Sequence, residues 1–112
     1  MKIERTQKIM EKRFGGKGHL ISNSILTANE MGEGIKMFSE ITLEKDCSLG
    51  YHTHEGESET YFIISGKGIY TDNNDKYEVC AGDVVYCPEG SGHALENIGE
   101  QDLKFVAIII NA

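Results

Sequence analysis

His52–Thr53–His54–Glu55–Gly56–Glu57–Ser58–Glu59 is the stretch on which the reading of this chain turns. Two histidines one residue apart fall on one face of a β-strand, because successive side chains alternate sides. The Gly56 turn resets the register, so Glu59 is expected to return on the adjacent strand, where cross-strand neighbours lie about 5 Å apart. A third histidine, His93, follows Pro88–Glu89–Gly90–Ser91–Gly92, a turn that can aim the next strand back at the same pocket. Three imidazoles and one carboxylate make a four-ligand set for a divalent metal ion.

The flanking sequence reads as short strands separated by turns. After Glu59 come Thr60–Ile64, a bend at Gly66 and Gly68, and Ile69–Thr71. Asp72–Asp75 is a hairpin turn that returns the chain through Lys76–Val79. Val84–Cys87 is stopped by Pro88; His93–Asn97 and Leu103–Ile110 follow as the last two strands. Towards the N-terminus, Ile35–Leu43 carries apolar residues at every odd position except Ser39, the period of two of a half-buried strand. It is followed by a turn at Glu44–Asp46 and preceded by a strand over His19–Leu26, whose His19 reads as a surface histidine. Residues 1–18 form an N-terminal extension with a short helix over Thr6–Arg13. Its Gly15–Gly16–Lys17–Gly18 lacks the Ser or Thr after lysine that a phosphate loop requires, so it reads as a flexible turn. Nine or ten strands with little helix predict an all-β barrel or sandwich.

The bulk properties narrow the function. A chain of 112 residues is one domain, and its net charge of −7 disfavours nucleic acid, whose phosphates need clustered Lys and Arg. Cys47, Cys80 and Cys87 are odd in number and lack CxxC spacing, which points to a reducing, cytoplasmic setting. No apolar signal segment follows Met1, and Phe105–Ile110 is too short to span a bilayer. That last strand is apolar on both faces, and Phe62 and Ile64, which face oppositely to Glu59, are apolar too, so sheet faces are expected to pair across a homodimer or to be buried against the N-terminal segment.

The spacing of the site residues resembles the two motifs of the cupins. His52-x-His54, four residues, Glu59, six residues and Gly66 is similar to the first motif. Gly82, five residues, Pro88-x-Gly90, two residues, His93, three residues and Asn97 matches the second. One departure is Asp46, which stands where the family usually has glycine; aspartate also tolerates turns. The resemblance implies a double-stranded β-helix (jelly-roll) barrel over residues 19–112, with the metal motifs within residues 46–97.

It further implies that His52, His54, Glu59 and His93 bind one divalent transition-metal ion, Mn, Fe, Ni, Co, Cu or Zn. Four protein ligands on an octahedral ion leave two positions for a ligand. Tyr61, two residues after Glu59, shares the ligand face, and Glu57 lies in the turn between ligands; both are candidate catalytic groups. The family supports dioxygenase, decarboxylase, isomerase and lyase chemistry on small carboxylates, enols, diketones or sugars. The competing reading is a module that binds or senses a sugar or organic acid without transforming it.

Overall fold

Leu43, Leu103, Phe105 and Ala107 point the same way from two neighbouring strands, and none of the four has surface exposed to solvent. The chain closes around them into two facing sheets. The computed structural model describes residues 1–112. Its strands are β1 (Gln7–Glu11), β2 (His19–Ser24), β3 (Ile35–Leu43), β4 (Ser48–Thr53) and β5 (Glu57–Ser65). They continue as β6 (Lys67–Asp72), β7 (Asp75–Cys80), β8 (Val84–Cys87), β9 (Gly92–Asn97) and β10 (Leu103–Asn111). One sheet has the order β1-β2-β3-β10-β5-β8 and the other β4-β9-β6-β7. All the pairings are antiparallel.

This is the double-stranded β-helix expected from the sequence. Alternation decides which side chains fill it. In β5, Glu59, Tyr61 and Ile63 are buried inside while Phe62 and Ile64 face out. The one α-helix, α1 (Ala28–Met31), is a single turn held by a reciprocal cap between Thr27 and Glu30. No helix is long and apolar enough to cross a membrane.

The turns use the residues that such conformations favour. Asn73 takes φ 53° in the two-residue hairpin between β6 and β7, and Asp46 takes φ 66° between β3 and β4. Aspartate thus meets the conformational demand at the position where glycine was expected.

The short helix expected over Thr6–Arg13 does not form. Gln7–Glu11 is instead an edge strand, paired with β2 from Gln7 opposite Asn23 to Glu11 opposite His19. With only Ile9 and Met10 apolar, this segment has no stripe to bury as a helix. As a strand it satisfies its backbone on β2 and packs Met10 against the core. Arg5 clips the entry to it, donating from Nε to the Ser24 carbonyl at 2.8 Å and from Nη2 to Glu40 at 3.1 Å.

Candidate metal centre

His52 and His93 stand directly opposite each other on the paired strands β4 and β9. His54 lies just past the end of β4. Its backbone is fixed by Pro88–Gly92: its N–H donates to the Ser91 carbonyl at 3.1 Å, and its carbonyl accepts from Gly90 N–H at 2.7 Å. Glu59 does not return on a strand paired with β4, as the sequence suggested. It sits on β5, whose neighbours are β10 and β8 in the facing sheet. The turn through Gly56, at φ 73°, carries the chain across the barrel rather than into a hairpin. The carboxylate therefore reaches the imidazoles from the opposite wall.

The four ligand atoms lie within 4.8 Å of one another. Glu59 Oε1 is 2.9 Å from both His54 Nε2 and His93 Nε2, and 3.8 Å from His52 Nε2. His93 Nε2 is 3.0 Å from His54 Nε2 and 3.1 Å from His52 Nε2. Donors about 2.1 Å from one ion, on perpendicular axes, would be about 3.0 Å apart. Glu59, His54 and His93 are buried to within 5 % of full exclusion.

Hydrogen bonding at the far ring atoms fixes the tautomers. His52 Nδ1 lies 2.8 Å from the Gly50 carbonyl and His54 Nδ1 2.5 Å from Glu57 Oε2. Both partners only accept, so both Nδ1 atoms carry hydrogen, and each ring in the neutral form that a metal requires turns an Nε2 lone pair inward. Lone pairs and a carboxylate converging at 3 Å repel one another unless a cation lies among them. This donor set fits a divalent metal ion.

The ionisable groups respond accordingly. Burial pushes the Glu59 carboxyl up, but with no metal ion among them, hydrogen bonds from His52 and His93 and the positive charge of protonated His93 and His54 outweigh it and bring it down to about 2. Burial lowers His93, against the pull of Glu59, and so favours the neutral ring a metal needs. Burial, reinforced by the Glu59 charge, holds the Tyr61 hydroxyl well above its ordinary value.

A cavity of about 510 Å³ opens onto the cluster, lined among others by Arg13, Phe14, Lys36, His52, Glu57 and Tyr61. Tyr61 shares the ligand face as expected. Its ring stacks on His93 at 4.9 Å and its hydroxyl is 3.4 Å from His93 Nε2. Glu57 opens β5 instead of lying in the turn. Burial raises its carboxyl, but bonds to Lys36 (2.6 Å) and His54 lower it overall. Two further contacts with the cluster were not foreseen from the sequence. Tyr70 places its hydroxyl 2.9 Å from His93 Nδ1, and Phe14 stacks on His52 at 4.0 Å and 16°.

Glu55, Tyr51 and Tyr86 are exposed, and His19 pairs with Glu44 at 2.6 Å. Cys47 and Cys87 are buried and Cys80 is exposed, all as free thiols. Asn97 donates to the carbonyls of Leu43 and Gln101, both at 2.9 Å, tying the second motif to the neighbouring turns.

Comparison with known proteins agrees with this geometry. Residues 39–109 match the family model of the cupin domain. The chain belongs to the cupin family. This cupin is 36 % identical over 112 residues to an oxalate-binding protein of Thermotoga maritima, covering 96 % of this chain and 93 % of that one. It superposes on the crystal structure of a predicted oxalate decarboxylase from Thermotoga maritima with a TM-score of 0.93, at 36 % identity, covering 97 % and 95 % of the two chains. It is also 36 % identical over 73 residues to oxalate decarboxylase OxdC of Bacillus subtilis. That match takes in 61 % of this cupin but 19 % of the larger protein.

Proposed function

We propose that this cupin holds one divalent transition-metal ion through His52, His54, Glu59 and His93, and acts as a metalloenzyme on a small carboxylic acid of the oxalate type. The observation that carries the reading is the convergence of two fixed imidazole lone pairs, a third imidazole and a buried carboxylate at the foot of a cavity. The likeness to the oxalate-binding protein supports the choice of acid. When bound, such an ion supplies Lewis-acid polarisation or brings dioxygen beside the ligand.

The chain's own residues do the rest. Tyr61, kept protonated by burial, donates a hydrogen bond at the base of the cavity. Glu57, with His54 on one oxygen and Lys36 on the other, fixes the His54 ring through its Nδ1–H. The apolar walls, Leu20, Met37, Ile41 and Leu49 among them, limit water around the ligand. Two copies associate as a homodimer through the outer face of the larger sheet.

The second reading, binding without turnover, is favoured by the name of the Thermotoga relative. Metal analysis of protein purified without chelator, then oxygen uptake and product detection with oxalate and related acids, separates the two. Metal with turnover supports the enzyme. Metal with tight binding and no product supports the binding module. A His93→Ala protein that keeps full metal occupancy contradicts the four-ligand site.

A further inference from the structure

The N-terminal segment does more than lead into the barrel. Lys12–Gly18 lies along β4 as a strap, with Lys12 N–H donating to the Gly18 carbonyl at 2.8 Å and Ser48 N–H to the Lys17 carbonyl at 2.9 Å. Lys17 N–H donates to Ser48 Oγ at 2.8 Å. A Cβ at Gly16 would run into the Ser48 carbonyl, and one at Gly50 into the Phe14 carbonyl, so the two backbones meet in direct contact.

Holding this shape places two side-chain-bearing residues in the left-handed region, Lys12 at φ 47° and Phe14 at φ 53°. Such conformations cost free energy in residues that carry a Cβ and persist where the surroundings impose them. Their result is specific. Phe14 covers His52 at 4.0 Å, and the Arg13 guanidinium lies over the Phe14 ring, 4.4 Å from its centre.

The charges around the cavity differ in how they are matched. Lys36 is committed to Glu57 at 2.6 Å. Glu59 belongs to the metal set. Glu55 stands exposed at the rim without a partner. Arg13 lines the same cavity, forms no ion pair, and is held in place by the Phe14 face. The two stacking distances of 4.0 and 4.4 Å bring its guanidinium within about 8 Å of the His52 ring.

A divalent ion with Glu59 leaves one positive charge at the floor of the cavity, the Lys36–Glu57 pair cancels, and the lining further carries the Arg13 guanidinium and the opposite charge of Glu55, so the case for Arg13 is its directed donors and not a net charge. We propose that Arg13 is the residue that selects a dianion, receiving the second carboxylate of a short dicarboxylate whose first carboxylate lies at the metal. Phe14 holds the guanidinium at that distance and keeps water off His52. A planar fork of donors suits this task better than a point charge. The proposal rests on the metal-site reading above.

The test uses the metal-loaded, full-length protein and two probes of similar size, oxalate as the dianion and glyoxylate as the monoanion, titrated calorimetrically. Arg13→Gln is expected to weaken oxalate roughly ten- to hundredfold, as loss of a charge-assisted hydrogen bond does, and to change glyoxylate less than about twofold. Metal content stays unchanged. Arg13→Lys recovers only part of the oxalate affinity, because it restores the charge without the fork. Oxalate affinity that is untouched in Arg13→Gln, or lost in equal proportion for both probes, overturns the assignment of Arg13 alone. Wild-type protein that carries metal yet binds neither acid overturns the carboxylate reading of the site together with it.

Discussion

Glu57 has one oxygen on His54 Nδ1 and the other on Lys36 Nζ, and this pairing sets how firmly His54 presents its Nε2. Outer carboxylates of this kind raise ligand basicity and fix ring orientation. Glu57→Gln should therefore lower metal affinity by roughly ten- to hundredfold, measured by competition with a chromogenic chelator. Glu55→Gln, at an exposed position with no partner, should leave it nearly unchanged. Equal affinities for the two variants contradict the positioning role.

Acid acts on the same cluster in the metal-free protein. Glu59 is held near 2 in the fold against 4.5 ordinarily, so it stabilises the folded state above about pH 4.5 and that contribution is lost as pH falls towards 2. A shift of that size corresponds to roughly 3 kcal/mol. His93 is lowered from 6.5, so below that pH the unfolded chain takes up a proton the buried ring resists, and stability falls again in the acid direction. Urea unfolding of chelator-treated protein should show a decline that begins near pH 6.5 and steepens below 4.5. Glu59→Gln should remove the steeper part. A flat profile across both ranges contradicts these environments.

The four clustered residues were legible because their spacing matches the two cupin motifs. The contacts that Phe14 and Tyr70 make with them were not. Phe14 reaches His52 through a strained turn, and Tyr70 reaches His93 through the pairing of β6 with β9, and neither contact leaves a local pattern in the sequence.

At the scale of elements, the strap on β4 carries a direct prediction. Gly50→Ala puts a methyl group against the Phe14 carbonyl with backbone on both sides, so neither partner can yield cheaply. The variant should lose about 1–3 kcal/mol of stability, as overpacked sites do. Its strap should also open to trypsin at Arg13 and Lys17 while the barrel resists. Thermal unfolding and timed digestion read the two effects; a wild-type digestion pattern means the strap does not depend on this contact.

Strand ends bounded by strong turn residues were readable: β3 runs Ile35–Leu43 and β8 runs Val84–Cys87, both as expected. The identity of β1 was not, since two adjacent apolar side chains set neither a helical nor a strand period, and pairing with β2 decides the outcome. Nor was the sheet to which β5 belongs. A glycine turn permits both a hairpin and a crossing, and only closure of the whole barrel selects the crossing that brings Glu59 across from the histidines.

At the scale of the molecule, the outer face of the larger sheet is the unresolved apolar surface. Phe62 and Ile64 on β5, Val84 and Tyr86 on β8 and Ile110 on β10 are exposed by 44 to 62 %, with Phe38, Val106 and Ile108 half-buried beside them. Cross-strand pairing makes the patch continuous, with Val106 opposite Phe62 and Phe62 opposite Val84. A monomer rarely leaves so large an apolar area in water. The occupant that fits best is a second copy. With a net charge of −7, two chains repel over most of their surface, and this charge-poor face is where they approach at least cost. A two-fold pairing would also bury the free edge β8, which otherwise offers unpaired backbone groups. Sedimentation at micromolar concentration should therefore give twice the 12.4 kDa chain mass. Phe62→Asp should shift it to the monomer while leaving metal content intact, because Phe62 points away from the barrel interior that Glu59 and Tyr61 face. A wild-type chain that sediments as a monomer removes the dimer, and the apolar face would then have to be covered by a different partner.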